Sequence, residues 1–261
     1  MNLDSVPIWG FFLGTILVVV LSIEVGYALG KNAHGRSKEE KEAPVSGVSG
    51  AVLSLTAFIL ALTFAMVADR YDARKALVRE DANAIRTAYL RADFLPEPDR
   101  AESKRLFKAY LDSRLALVQR PSSERQSVDP VLAEADRIQR RLWAIAVANA
   151  RLDMNSDVAA LYVEALNEMF EVHATRLATS LRARIPSGIW VVLCSLTILG
   201  MVSMGYHAGI AGSSRSKATW ILATSFGLVI ALIASLDRPS DFIPITQQPL
   251  ADLQALMQSD K

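Results

Sequence analysis

Ser49, Thr56 and Thr63 recur at intervals of seven residues, and Arg70 continues the series. Seven residues is close to two helical turns, so the four side chains share one side of a helix, with a drift of about 20° per step. Hydroxyls can stand in for water around an inorganic ion. Bulky Ile59 and Leu60, set to one side of that stripe, could close a path by dewetting. The pattern therefore reads as the wall of an ion conduit. A second reading fits the same residues: each hydroxyl bonds a carbonyl of its own backbone and nothing passes. At this level both stay open.

Glu24 is the next residue that could do chemistry, because it lies inside an apolar run. A carboxylate at membrane depth costs about 3 kcal/mol or more unless it is paired, protonated or wet. Counting inward from the same end of the other apolar runs reaches Ser49, Tyr206, His207 and Thr224, so Glu24 is expected to share a polar layer with Tyr206 or His207. Ion coordination or pH gating is one use of such a layer and a register-fixing hydrogen bond the other, and the second is the commoner. At the opposite end, Asp237 and Arg238 arrive level with Asp69, Arg70, Arg182 and Arg184. Crossed ion pairs there would tie the last apolar run to its neighbours, and a calcium site at Asp237 and Asp241 is the weaker alternative. Nothing groups a nucleophile with a base, cradles a phosphate or spaces the three histidines as metal ligands. The reading is of a protein that is not an enzyme and carries no cofactor or metal.

These residues need apolar helices to position them, and the chain supplies four. Its 261 residues are 51% hydrophobic, with 28 basic against 27 acidic side chains, a balance that leaves no footprint for nucleic acid. The apolar residues fall in blocks at 8–30, 45–68, 187–212 and 218–236, each long enough to cross a hydrocarbon core of about 30 Å. Small residues recur at spacings of four in the first (Gly10, Gly14, Ser22, Gly26, Gly30), third (Gly205, Gly209) and fourth (Ala223, Gly227, Ala231, Ser235). In lipid, that is the mark of helices packed closely together. The second block is different, for LALTFAMVADRYDARK at 60–75 passes from apolar to charged with no Gly, Pro or turn signal. One helix is expected to continue from lipid into water there.

Between the second and third blocks lies a polar insert of helical composition, broken at LPEPDR (95–100), RPSSERQSVDP (120–130) and DMNS (153–156). The organisation expected is all-α. Residues 1–68 form two membrane helices, 69–185 a soluble helical bundle, 186–237 two more membrane helices, and 238–261 a tail with a short amphipathic helix. Nine basic residues near span ends on the insert side outnumber six in the two short loops. That bias puts the insert and both ends in the cytoplasm and the spans in the inner membrane. Four spans in one copy cannot enclose water, so a conduit requires a homo-oligomeric ring in the bilayer. The cations Arg70, Arg74 and Lys75 at its mouth favour anions, with Asp69 and Asp72 opposing them. A non-conducting scaffold or sensor that recruits a partner through the soluble helices is the alternative.

Several strings carry a family likeness: FILALTFAM (58–66), ADRYDARKALVREDANAIRTAYLRADFLPEP (68–98), ALNEMFEVHATR (165–176), RIPSGIW (184–190), GYHAG (205–209), LDRP (236–239) and QQPLADL (247–253). Together they resemble the bestrophin-like family of bacterial and plant membrane proteins. The resemblance implies four spans with a helical insert between the second and third. By similarity of layout to bestrophins, which are pentameric calcium-activated anion channels, it also implies a ring and a pentamer.

Overall fold

A computed structural model describes residues 7–36, 42–119, 129–182, 184–212, 218–238 and 243–260. In chain order its helices are α1 (Ile8–Arg36), α2 (Glu42–Arg91), α3 (Asp99–Gln119), α4 (Asp129–Leu152), α5 (Asp157–Arg182), α6 (Ser187–Ile210), α7 (Ala218–Asp237) and α8 (Gln248–Ser259). No strand occurs among the described residues. The chain is all-α. Helices α1, α2, α6 and α7 are long and apolar enough to cross a membrane.

The helices stop where their chemistry stops them. A 3-10 turn at Ala92–Phe94 ends α2 just before Pro96 and Pro98. The turn between α4 and α5 is held locally. The Asp153 carboxylate accepts the Asn155 N–H at 3.0 Å, and the Ser156 hydroxyl accepts the Ala159 N–H at 3.2 Å, a side-chain cap on α5. Pro186 directly precedes α6.

The contacts divide the chain into two units, residues 1–71 with 184–243, and residues 72–183 with 244–261. In the first, α1 packs against α6 and α7. The seam of α1 with α6 is backbone against backbone. A Cβ on Gly26 would sit 2.0 Å from the Val202 carbonyl oxygen, one on Gly30 2.2 Å from that of Tyr206, and one on Gly205 2.1 Å from that of Ile23. The small-residue ladders in these two helices thus face each other. Gly227 of α7 receives the side chains of Phe12 and Ile16.

The second unit is a bundle whose core includes Ile85 and Tyr89 of α2, Phe107 and Leu111 of α3, Ile138 and Leu142 of α4, and Leu166 and Met169 of α5. The C-terminal stretch does not form a tail of its own. Leu250, Leu253 and Met257 of α8 are buried in the same core, because their spacing of three and four makes one apolar stripe. Tyr89 donates to the Asp260 carboxylate at 2.7 Å, fixing the end of that segment.

Candidate functional site

In a membrane helix a hydroxyl without water turns to the nearest carbonyl. That rule, together with the seam between α2 and α6, decides where the seven-residue series points. Ser49 donates to the Ser203 carbonyl at 3.0 Å and lies 2.8 Å from the Ser203 hydroxyl. Thr56 bonds Val52 O at 2.8 Å and Leu196 O at 3.2 Å, and Thr63 bonds Ile59 O at 2.7 Å. Thr56 and Thr63 are 0% and 1% exposed. The expectation that this stripe turns toward water is therefore corrected within the protomer: the hydroxyls mark the side of α2 that is already covered. Leu60 belongs to the same side, packed near Val67 and Ile233, while Ile59 is half-buried. Arg70 is half-buried and Arg74 buried, both on or near that side.

The opposite side of α2 has another character. Gly47, Gly50, Ser54, Ala57, Ala61 and Ala65 recur at spacings of three and four, and all are exposed. Nothing lies within 4 Å of where a Cβ would stand on Gly47 or Gly50. Phe58, 59% exposed, is the one bulky side chain close to the middle of this stripe. The charges that follow on it are the exposed Asp69, Asp72 and Lys75. Flanking positions Val48, Leu55, Leu62 and Met66 are large, apolar and exposed.

Glu24 lies two residues before Gly26, at the tight crossing of α1 and α6. Gly26 meets the backbone of Val202 and Tyr206. Glu24, Tyr206 and His207 are all half-buried, and none of them is without a partner. At the other end of α6 the expected charge cluster takes an unexpected form. Asp237 is buried, and its carboxylate accepts the Ile185 N–H at 2.9 Å, while Arg184 donates to the Asp237 backbone carbonyl at 2.8 Å. The carboxylate thus holds the start of α6 by a backbone hydrogen bond. Arg238 lies over the Phe11 ring, 4.3 Å from its centre, as a cation–π contact. Asp69 is exposed on α2. The Arg182 side chain and Asp241 lie outside the described residues.

The bundle holds a constellation that sequence reading missed. Asp81 of α2 is fully buried, and its Oδ2 accepts from Arg114 of α3 at 2.6 Å and from Arg176 of α5. Arg114 also donates to the Tyr110 hydroxyl at 2.9 Å and contacts His173 Nδ1. The Tyr110 hydroxyl lies 3.0 Å from the same ring nitrogen and receives Gln139 of α4 at 3.3 Å. Arg176 reaches Gln247, just ahead of α8. Five helices or their flanks therefore meet in one buried polar network. With Arg114 donating to it, Nδ1 must act as an acceptor, which makes His173 a neutral imidazole with its proton on Nε2.

Burial first, and then the Arg114 guanidinium, push the His173 pKa down to about 4. Asp81 and Asp136 pull the other way, and Arg176 adds to the depression. An unfolded histidine titrates near 6.5, so the unfolded chain takes up a proton that the fold refuses. Stability of the bundle is then full above about pH 6.5 and falls as pH drops toward 4, by at most about 1.4 kcal/mol per pH unit. Denaturant midpoints of the full-length protein measured from pH 7.5 to 4.5 check this. His173→Gln should flatten the part of the slope that lies between those limits.

The sequence from residue 15 to 250 matches the Bestrophin-like domain. Among solved structures, the fold is similar to a bacterial bestrophin homologue from Klebsiella pneumoniae, with a TM-score of 0.61 and 16% identity over 95% of this chain and 99% of the other. A point variant of a bacterial bestrophin homologue from the same organism gives 0.60 and 15%, covering 96% and 99%. A further structure, described as a membrane protein, gives 0.62 and 13% with 97% of each chain covered. No curated protein matches.

Proposed function

The chain belongs to the Bestrophin-like family, and from that premise we propose that it forms a homo-oligomeric ring in the inner membrane, five copies by the bestrophin layout, whose second helices enclose an ion path. The observation that carries this reading is the open stripe on α2. It lies opposite the seam with α6, is made of Gly47, Gly50, Ser54, Ala57, Ala61 and Ala65, and is left uncovered in the protomer. Small side chains leave room for water at the axis of a ring, and the exposed serine among them is wettable. Phe58 would form the one apolar hoop, so the gating role expected of Ile59 and Leu60 passes to it.

Charge on the same stripe sets the favoured ion. Arg74 is buried and Arg70 half-buried toward the covered side, whereas Asp69, Asp72 and Lys75 are exposed. Two exposed carboxylates against the one exposed ammonium of Lys75 leave the mouth net negative, which favours cations, so the anion preference expected from Arg70, Arg74 and Lys75 is replaced by a weak cation preference. The excess of basic residues on the insert side supports placing the bundle and both ends in the cytoplasm. Helix α2 supplies residues to both units without a break, and through it the bundle controls the path.

Accessibility tests the reading. In a Cys194→Ser background, Ala61→Cys and Ser54→Cys should be labelled by a charged thiol reagent applied to protein in liposomes, and labelling should block most of the flux. Thr56→Cys should resist the reagent. Asp69→Lys should move the reversal potential toward the anion equilibrium value. An ion-tight ring, or flux unaffected by modification at position 61, overturns the proposal and leaves the scaffold reading.

A further inference from the structure

On the outer side of the bundle, α4 and α5 flank a cleft of about 440 Å³ lined by Asp136, Gln139, Arg140, Trp143, Asn167 and Phe170. The Trp143 and Phe170 rings stand 6.3 Å apart at a tilt of 59°, and Trp143 is 37% exposed. Gln139 fixes one wall, because its amide is hydrogen-bonded to Tyr110 inside the bundle. Charges nearby on α4 are already matched: Arg137 with Glu134, and Arg141 with Glu102 of α3. Asp136 and Arg140 are exposed one turn apart, and neither takes part in those two pairs. The cleft thus offers an aromatic wall, an amide from Asn167, and one exposed charge of each sign on neighbouring turns.

We propose that this cleft binds a small zwitterion with an aromatic side chain, that is, an aromatic α-amino acid. Its ring lies against Trp143 and Phe170, its carboxylate meets Arg140, and its ammonium meets Asp136. A planar ring gains from the two aromatic walls beyond the area it covers. The opposite charges select a molecule that carries both, since either one alone would leave its counterpart unanswered. The site stands apart from conduction, and binding is measured without it, so failure here and failure of the channel reading are distinguishable.

Full-length protein in detergent with Trp9, Trp190 and Trp220 changed to Phe reports through Trp143 alone. Titration with L-phenylalanine should give a saturable change in Trp143 emission. Phenethylamine and phenylacetate, which each lack one charge, should bind about fivefold more weakly, the size of an exposed ion pair. Arg140→Gln should weaken phenylalanine about fivefold and leave phenethylamine unchanged. Asp136→Asn should weaken phenylalanine and leave phenylacetate unchanged. No saturable response, equal affinity for the three probes, a response to phenylacetate alone, or variants that weaken every probe alike would each overturn the proposal.

Discussion

Gly26→Ala is expected to unfold the membrane unit, while Gly14→Ala on the same helix is expected to stabilise it. In an ordinary helix, replacing glycine with alanine gains up to about 1 kcal/mol, because alanine loses less freedom on folding. That gain should appear at Gly14, whose added methyl would meet nothing within 4 Å. At Gly26 the methyl would lie 2.0 Å from the Val202 carbonyl oxygen and 2.9 Å from the Tyr206 nitrogen. Neither is the flexible end of a side chain, so no rotamer change can relieve the clash and the two helices must separate. Association in lipid depends on close packing and weak Cα–H···O contacts, both lost when the axes move apart. The loss should exceed about 3 kcal/mol, above the usual range for overpacking. Reversible unfolding in mixed micelles would measure both variants. Gly205→Ala should match Gly26→Ala, and the double variant should cost far less than the sum, since the first methyl already opens the seam. A tolerated Gly26→Ala would mean the helices do not meet at this crossing.

That close packing was legible from spacing alone, because glycines four residues apart in apolar blocks let helix backbones touch in lipid, but spacing does not say which helix meets which. The spans were legible too, since twenty apolar residues in a row have one main use. The direction of the hydroxyls was not. A seven-residue repeat of Ser49, Thr56 and Thr63 says that one side of α2 is special, but a covered polar seam and a wet wall produce the same spacing. What separates them is the far side of the helix, where Ser54, Ala57, Ala61 and Ala65 are small enough to be overlooked as filler. The buried network was missed because its members are scattered from Asp81 to Gln247 with no motif among them. A signal existed. Asp81 falls on the apolar face shared by Val78, Ile85 and Ala88, and His173 and Arg176 continue the face of Leu166 and Met169. A charge on a core face has to find a partner.

The partners make Asp81 the residue whose loss the bundle should tolerate least. Its carboxylate is fully buried and accepts from both Arg114 and Arg176. One acid between two guanidinium groups already leaves a positive excess. Asp81→Asn keeps the volume and removes the charge, so two half-buried cations would face each other with His173 and Tyr110 beside them. Breaking a buried pair from one side costs about 3–5 kcal/mol, a large share of the roughly 5–15 kcal/mol that holds an ordinary domain together. Denaturation of the full-length protein with Trp9, Trp190 and Trp220 changed to Phe, followed through Trp143, should show the bundle transition shifted by that amount. The charge argument makes a sharper forecast for the compensating change. Adding Arg176→Met to Asp81→Asn removes one of the stranded cations and should recover part of the stability. Arg176→Met alone should cost less than Asp81→Asn alone, because it leaves the Asp81–Arg114 pair in place. A double variant no more stable than Asp81→Asn would show that the carboxylate matters for its hydrogen bonds and shape rather than for its charge.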